Sequence, residues 1–279
     1  MRLTKQQRRR RDTWALNLVI LPLAVVWFLP IWAMIVFATM PDSGIFSPDV
    51  TLLPSTELMA NVRALEEETS FSRTFLNSLV TALVYATLSV LLTSMAGWAL
   101  ASYRFAGKVA VTGILLGTLT LPFFVVVIPQ FILVARDFGL ANTWFALIVP
   151  PLFNALGVLF MQKAFSMMPK ELFDAARVEG ASEWQIFIHI ALPLAKPMLA
   201  ALMIILFLFS WNNYLWPLLI NTQESMMTAP VALGSLIGVT RVSWGSIMAG
   251  SIILTVPMLV LFILLQKYFV SGIAAGAVK

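Results

Sequence analysis

Six long apolar blocks constrain the fold of this chain more than any other feature of its sequence. They lie at residues 14–39, 74–102, 109–135, 143–162, 197–220 and 246–266. Each block reaches the roughly 20 apolar residues that a helix needs to cross about 30 Å of hydrocarbon. Charged residues make up 11% of the 279-residue chain, whereas soluble domains carry about 25%. The sequence therefore predicts an all-α, polytopic membrane protein with six transmembrane helices.

The blocks and their connections occupy nearly the whole sequence and leave no room for a separate soluble domain. We expect a basic N-terminal segment at residues 1–13, a six-helix transmembrane domain at 14–268 and a C-terminal tail at 269–279. A long loop at residues 163–196 belongs to the transmembrane domain.

The basic residues are distributed unevenly between the two sides of these predicted spans. Of the 18 Lys and Arg residues, all but Arg63, Arg73, Arg136 and Arg241 fall on the side that carries Met1. Basic residues accumulate in the cytoplasmic loops of membrane proteins. Both termini and the 163–196 loop are therefore predicted to be cytoplasmic.

The 163–196 loop begins with the signals of a short helix. Pro169 suits the first position of a helix, where a missing N–H is not needed, and residues 170–179 follow as helix. Gly180 suits the left-handed residue that ends such a helix. The pair Ala175 and Ala176 keeps the helix slim, so we expect a groove of another protein to close around it.

A second short helix follows directly. Ser182 and Gln185 have the spacing of a capping box, which predicts a helix at residues 183–192 that Pro193 stops. The turn at residues 178–182 is therefore predicted to be a rigid corner that projects into the cytosol.

The sequence DAARVEGASEWQIFIHIALPLAKP at residues 174–197 resembles the EAA loop of ABC importer permeases. That pattern has EAA, a Gly three positions later and a distal LP. This chain departs from it with Asp174 for the first Glu and Glu179 where Asp is usual, and both changes keep the carboxylate. The resemblance implies a coupling helix that seats in a cleft of a nucleotide-binding subunit. The implied coupling residues are Asp174, Ala175, Ala176, Glu179, Gly180, Ala181 and Pro193.

Three further stretches look like carbohydrate-type ABC permeases: LASYRF at 100–105, WNNYLWPLL at 211–219 and QKYFVSGIAAGAVK at 266–279. The last is similar to the second, shorter permease of maltose-type systems. The resemblance implies a type I importer core, in the cell membrane of a prokaryote, that forms half of the pathway for a di- or oligosaccharide. The implied partners are a homologous permease in a heterodimer, a dimeric ATPase that binds ATP and Mg, an external solute-binding protein and the lipid bilayer. No nucleic acid is expected, and a permease for glycerol phosphate or a polyol is the alternative.

A self-contained secondary carrier or channel is an alternative from another class. None of the 18 Lys and Arg or 13 Asp and Glu residues falls near the middle of a predicted span, which weakens ion-coupled mechanisms. The chain has no GxxxxGK[ST] phosphate loop, no cysteine and one histidine, His189. We therefore expect no cofactor, no metal and no enzymatic activity in this chain itself.

A candidate solute pathway lies near the outer part of the fifth block, at Trp211, Asn212, Asn213 and Tyr214. Amides hydrogen-bond to sugar hydroxyls, and aromatic faces pack against sugar C–H surfaces. An interfacial aromatic belt combined with interhelical amide bonds explains the same residues, so both interpretations stay open.

Two smaller features predict packing and mobility. Gly113 and Gly117 form a GxxxG pair, which allows helix backbones to approach closely. The outer loop at residues 221–244 contains Pro230, Gly234 and Gly238, and we expect it to form a flexible finger.

Overall fold

The structure is a computed structural model that describes the backbone of residues 5–238 and 242–277 and the side chains of residues 16–238 and 242–267. Over this part the chain is helical between its loops, with an isolated antiparallel bridge between Ile237 and Val242. Arg241, which the charge argument assigns to the outer side, lies outside the described residues, as do residues 1–4 and 278–279. The all-α prediction is confirmed.

In chain order the α-helices are α1 (Lys5–Ala38), α2 (Asp42–Ile45), α3 (Leu58–Thr69), α4 (Phe71–Ser102), α5 (Lys108–Thr120), α6 (Phe123–Phe131), α7 (Trp144–Ile148), α8 (Ala155–Ser166), α9 (Lys170–Val178), α10 (Glu183–Ile186), α11 (Leu192–Leu194), α12 (Lys196–Trp211), α13 (Leu215–Ile220), α14 (Ala229–Ser235) and α15 (Trp244–Ala277). Short 3₁₀ turns lie at Pro150–Leu152 and Glu224–Met226, and π-helical turns lie at Ile132–Asp137 and Phe187–Ala191.

Three helical stretches in the described part are long and apolar enough to cross a membrane alone: Leu16–Ala38, Phe71–Ser102 and Trp244–Lys267. Three bent pairs meet the same test together, and they bring the number to six if each pair is one span. These pairs are Lys108–Thr120 with Phe123–Asp137 (97°), Trp144–Leu152 with Ala155–Ser166 (47°), and Glu183–Leu194 with Lys196–Trp211 (79°).

The third apolar block is broken rather than straight. Leu121 and Pro122 are both extended, with ψ of 124° and 134°, and they separate α5 from α6 at the 97° bend. Proline has no backbone N–H, and it drives the residue before it away from helical geometry. Pro122 therefore divides the third apolar block, which was predicted to be one helix, into two helices.

The fifth block also differs from its prediction. The helix expected over residues 197–220 ends at Trp211, and α13 begins only at Leu215. Between them the Oδ1 atom of Asn213 accepts a hydrogen bond from the backbone N–H of Trp216 at 3.3 Å. Asparagine side chains compete with helical hydrogen bonds in this way, so the prediction of one helix was wrong.

Pro193 does not stop the second short helix, as the sequence analysis expected. The helical path that begins at Glu183 runs through the π-turn Phe187–Ala191 and on to Leu194. A widened turn relieves the clash between a proline ring and the carbonyl four residues earlier. The sharp change of direction comes instead at Ala195, where α12 follows at 79°.

The chain divides into two compact units, residues 1–70 with 235–253, and residues 71–234 with 254–279. In the first unit Asn61 organises the loop after α1. Its Nδ2 atom donates to the carbonyls of Ala38 and Met40, both at 2.9 Å. The backbone carbonyl of Asn61 accepts from the hydroxyl of Ser246 at 3.2 Å. One side-chain amide thus satisfies the carbonyl groups left free at the end of a helix.

The second unit is built around α4, which packs against α8 and α12. Two glycines bring α4 and α8 together. A Cβ atom added at Gly97 would lie 2.7 Å from the backbone nitrogen of Gln162, and one at Gly157 would lie 2.9 Å from Thr93. The predicted GxxxG pair plays no such part within the chain, because a Cβ at Gly113 or Gly117 meets nothing within 4 Å among the described residues.

We expect Gly97→Ala to destabilise the chain by about 1–3 kcal/mol, because the new methyl group meets backbone that cannot turn aside. Gly113→Ala is the matched control, since it adds the same methyl group to a helix at an open position. Thermal unfolding of the purified chain in detergent measures both. Equal melting temperatures for the two variants would contradict the assigned packing.

Candidate functional site

The corner segment (residues 170–194) begins with α9, whose end has a Schellman motif. Gly180 has φ of +84°, as its sequence position predicted. The N–H of Ala181 donates to the carbonyl of Ala176, and the N–H of Gly180 donates to that of Arg177, both at 3.0 Å. This pair of bonds satisfies carbonyls that a helix end otherwise leaves free, and it fixes the direction of the chain after α9.

The next helix begins with the predicted capping box. The backbone N–H of Gln185 donates to Oγ of Ser182 at 3.3 Å, and Oε1 of Gln185 accepts from the backbone N–H of Ser182 at 2.8 Å. Both sides of the turn at Gly180 are therefore capped, which makes the corner a defined structure rather than a flexible loop.

An ion network joins the two sides of this turn. The Arg177 guanidinium donates to Asp174 at 2.7 Å and to Glu183 at 2.7 Å. The hydroxyl of Tyr103, just after α4, donates to the same Glu183 carboxylate at 2.8 Å. The hydrogen bond from Arg177 lowers the pKa of the Glu183 carboxyl. Because its pKa is lowered, Glu183 stabilises the corner at neutral pH and loses this contribution as the pH falls through the lowered value.

Four aromatic rings connect the corner segment to the long helices. Trp98 of α4 lies at centroid distances of 5.4 Å from Phe165 of α8, 4.9 Å from Phe173 of α9 and 6.1 Å from Phe187. All four side chains are buried, and edge-to-face aromatic pairs are stabilising beyond the area that they bury. The corner segment therefore packs directly on two long helices.

The outward face of α9 is partly apolar. Val178 is 89% exposed, Leu172 and Ala175 are also exposed, and Glu179 stands beside them at the end of the helix. Ala176 points the other way, because it is 8% exposed and belongs to the same core as Phe173. The expectation that Ala176 faces another protein is therefore wrong.

The four candidate pathway residues lie in different surroundings. Trp211 is 1% exposed, stacks on Phe207 at 5.5 Å and donates from Nε1 to the carbonyl of Leu254 at 3.1 Å, so it is a core residue. Asn212 and Tyr214 are exposed. Asn213 lines a small cavity.

This cavity lies inside the second unit and measures about 10 Å³. Its lining is mixed. The polar part consists of Ser78, Thr81, Tyr85, Ser210, Asn213 and Thr228, and the rest consists of Leu147, Pro151, Phe209, Trp216 and Pro217. The hydroxyls of Thr81 and Thr228 are buried and have no hydrogen-bond partner among the described residues.

Asparagine side chains hold the clamped segment (residues 221–234) in place. The Nδ2 atom of Asn77 on α4 donates to the carbonyls of Ser225 and Met227 at 3.0 and 2.9 Å. Asn221 donates to the carbonyl of Met226 at 2.7 Å, and the Oδ1 atom of Asn142 accepts from the backbone N–H of Thr222 at 2.7 Å. The expectation of a flexible finger is wrong for this part of the loop.

Three residues that hold the corner segment in place were not predicted from the sequence: Arg177, Trp98 and Tyr103. The Asp174–Arg177 pair has the i,i+3 spacing of neighbours on a helix, so a local signal was available. No local signal points to Trp98 or Tyr103, since each meets the corner segment from a distant part of the sequence. Among the described residues, no group of three acidic or histidine side chains is arranged to hold a metal ion.

The bent apolar helices together with the capped, aromatic-anchored corner define a multi-pass helical membrane protein. Residues 89–275 match the protein family described as binding-protein-dependent transport system inner membrane component. The chain belongs to this family, whose members are permease subunits of ABC importers.

Several relatives are similar over nearly their full length. The chain is 35% identical to the arabinooligosaccharides transport system permease protein AraQ of Halalkalibacterium halodurans, over 96% of both chains. It is 33% identical to the lactose transport system permease protein LacG of Rhizobium radiobacter, over 99% of this chain and 100% of the relative. It is 30% identical to the sn-glycerol-3-phosphate transport system permease protein UgpE of Yersinia pestis, over 96% and 98%.

The fold is also found among solved structures. A chain of a bacterial ABC transporter involved in the import of the acidic polysaccharide alginate superimposes with a TM-score of 0.77 at 23% identity. The match covers 96% of this chain and 99% of the other. At this identity the likeness establishes the fold, and it agrees with the type I importer core that the family resemblance implied.

Proposed function

We propose that the chain forms half of the pathway by which an ATP-driven importer takes up a neutral di- or oligosaccharide. In this proposal a homologous permease forms the other half, an external binding protein delivers the sugar and a separate dimeric ATPase supplies the energy. The chain itself catalyses no reaction, and ATP and Mg bind to the ATPase.

The structure of the corner segment is the main support for this proposal. A short helix with a partly apolar exposed face, where Val178 is almost fully exposed and Glu179 lies beside it, has the composition of a docking surface. The capped turn and the aromatic contacts to Trp98 make the segment stiff. A push on that face would therefore reach α4 and α8 as a rigid-body movement.

The sugar class is supported by the relatives and by the lining of the cavity. Two of the three relatives described above are named for oligosaccharides or lactose, and the third for a glycerol phosphate. The lining of the polar cavity consists of neutral side chains, which suits hydroxyl groups better than a phosphate. A permease for glycerol phosphate or another polyol is the second candidate, and it rests on the third relative.

The orientation is part of the proposal. Basic residues lie mainly on the side that carries Met1 and the corner segment, so this side is assigned to the cytoplasm. The clamped segment then lies on the outer side, where the external binding protein docks.

The proposal is tested by sugar uptake into proteoliposomes that contain this chain with its partner permease and ATPase. We expect uptake of lactose or an arabino-oligosaccharide that requires the external binding protein outside and ATP inside. Glycerol 3-phosphate in place of the sugar tests the second candidate. Uptake by the chain alone, driven by an ion gradient, would instead make it a secondary carrier.

A further inference from the structure

Two hydroxyl groups that line the cavity of the second unit have no hydrogen-bond partner among the described residues. Thr81 is 5% exposed and Thr228 is 4% exposed, and the Oγ1 atoms of both make no hydrogen bond within the described part of the chain. Buried hydroxyl groups in proteins are almost always satisfied, by protein or by an ordered water. Two exceptions that line one cavity call for a common explanation.

The position of Thr228 makes its free hydroxyl more informative. Thr228 directly precedes α14, and a threonine at that position usually accepts a hydrogen bond from the backbone of the first turn. Here the side chain makes no such bond and lines the cavity. The Oγ atom of Ser78 instead accepts from the backbone N–H of Ala229 at 2.8 Å. The hydroxyl of Thr228 is thus turned away from its usual local partner.

The size of the cavity limits what it can hold. About 10 Å³ is close to the smallest space that accepts one water molecule, and a water needs two to four polar partners. Thr81 and Thr228 supply two partners, and Asn213 and Tyr85 bring an amide and a phenol to the same lining. The cavity is therefore matched to a single oxygen atom that can both donate and accept hydrogen bonds.

We propose that this cavity binds one hydroxyl oxygen, which bridges Thr81 of α4 to Thr228 of the clamped segment. The oxygen has two chemical sources, a water molecule or a hydroxyl group of the transported sugar. In both cases it adds a bond to those that Asn77 and Ser78 already make between α4 and the clamped segment. This inference goes beyond the proposed function, and its stability test below does not depend on transport.

The direction in which a Thr→Val change shifts the melting temperature tests the proposal. If the cavity is empty, Thr81→Val or Thr228→Val removes an unsatisfied hydroxyl and the melting temperature of the assembled importer stays the same or rises. If the oxygen is bound, either change removes one of its bonds. We then expect the melting temperature to fall by about 2–4 °C, the shift that one lost hydrogen bond produces in a chain of this size.

The double variant and a matched control sharpen the test. Because both hydroxyls bind one oxygen, Thr81→Val with Thr228→Val should lower the melting temperature no further than either single change. Thr93→Val removes a buried hydroxyl of α4 that donates to the carbonyl of Ser89 at 2.6 Å, so its effect should add to that of Thr228→Val. Thr81→Ser and Thr228→Ser keep the hydroxyl group. In either Ser variant, a Val at the other position should therefore lower the melting temperature as it does in the parent.

The same variants identify the source of the oxygen. With water, the loss of melting temperature is the same with and without lactose or an arabino-oligosaccharide, and the KM of sugar uptake does not change. With a sugar hydroxyl, the loss requires the sugar and KM rises about tenfold, as expected when a buried hydrogen bond to a ligand is lost. A melting temperature that stays the same or rises in both single variants, both with and without the sugar, would overturn the proposal, and so would additive losses in the double variant.

Discussion

Gly180→Val should reduce solute-stimulated ATP hydrolysis by the assembled importer about tenfold or more, while the chain remains inserted in the membrane. Gly180 has φ of +84°, and a β-branched residue at positive φ is a rare and strained case. The left-handed conformation costs an ordinary L-residue about 1–2 kcal/mol, and 1.4 kcal/mol is a factor of ten in an equilibrium. The corner would therefore open or turn, and α9 would no longer present its outward face in the same direction.

Gly180→Asn is the matched control for this change. Asparagine tolerates the left-handed conformation better than other side chains, and a Cβ at position 180 meets nothing within 4 Å among the described residues. We expect this variant to keep most of the stimulated hydrolysis. Parent activity in both variants, with the ATPase still bound, would show that the corner does not transmit movement.

Phe173→Ala should have the second large effect, because it removes the ring that joins α9 to Trp98. The ring is buried and lies 4.9 Å from the indole, and truncation of a buried Phe costs about 3–5 kcal/mol. We expect the corner segment to detach from the long helices, so that ATP hydrolysis continues without sugar uptake. The ratio of sugar transported to ATP hydrolysed in proteoliposomes measures this loss.

Phe173→Leu separates the loss of contact from a general loss of stability. Leucine fills most of the ring's volume, so coupling should largely return even though the aromatic pair is gone. Exposed Phe138 offers a further control, since Phe138→Ala removes the same ring from a site outside the cluster. An unchanged transport ratio in Phe173→Ala would mean that the aromatic cluster does not connect the ATPase to the spans.

Local signals in the sequence were enough to predict the corner. The left-handed Gly180 and the capping box of Ser182 with Gln185 depend on residues at most five positions apart, so their geometry is set by neighbours. The six apolar blocks could likewise be recognised as candidate spans, because the thickness of the bilayer fixes the length of a span. Their breaks at Pro122 and at Asn212–Tyr214 were missed because hydropathy does not register a lost backbone hydrogen bond.

Long-range contacts explain what the sequence did not reveal. Gly97 and Gly157 pack two helices together without a GxxxG spacing, whereas a Cβ added at Gly113 or Gly117 meets no described residue within 4 Å. The inward turn of Ala176 follows from the position of Phe173, three residues earlier on the same face, once Trp98 is known to lie there. These contacts depend on which segments pack together in the folded chain, and a single sequence does not reveal that.

We assign the outward face of α9 to the cytoplasm, where it binds the ATPase. The chain has no cysteine, so Val178→Cys and Gln223→Cys each introduce a single reactive thiol at an exposed position. The direct measurement is labelling by a membrane-impermeant maleimide. In intact cells Gln223→Cys should be labelled and Val178→Cys should not. In inside-out vesicles Val178→Cys should be labelled after the ATPase is stripped off and protected when the ATPase is added back. Labelling of Val178→Cys in intact cells, or equal labelling with and without the ATPase, would contradict the claim.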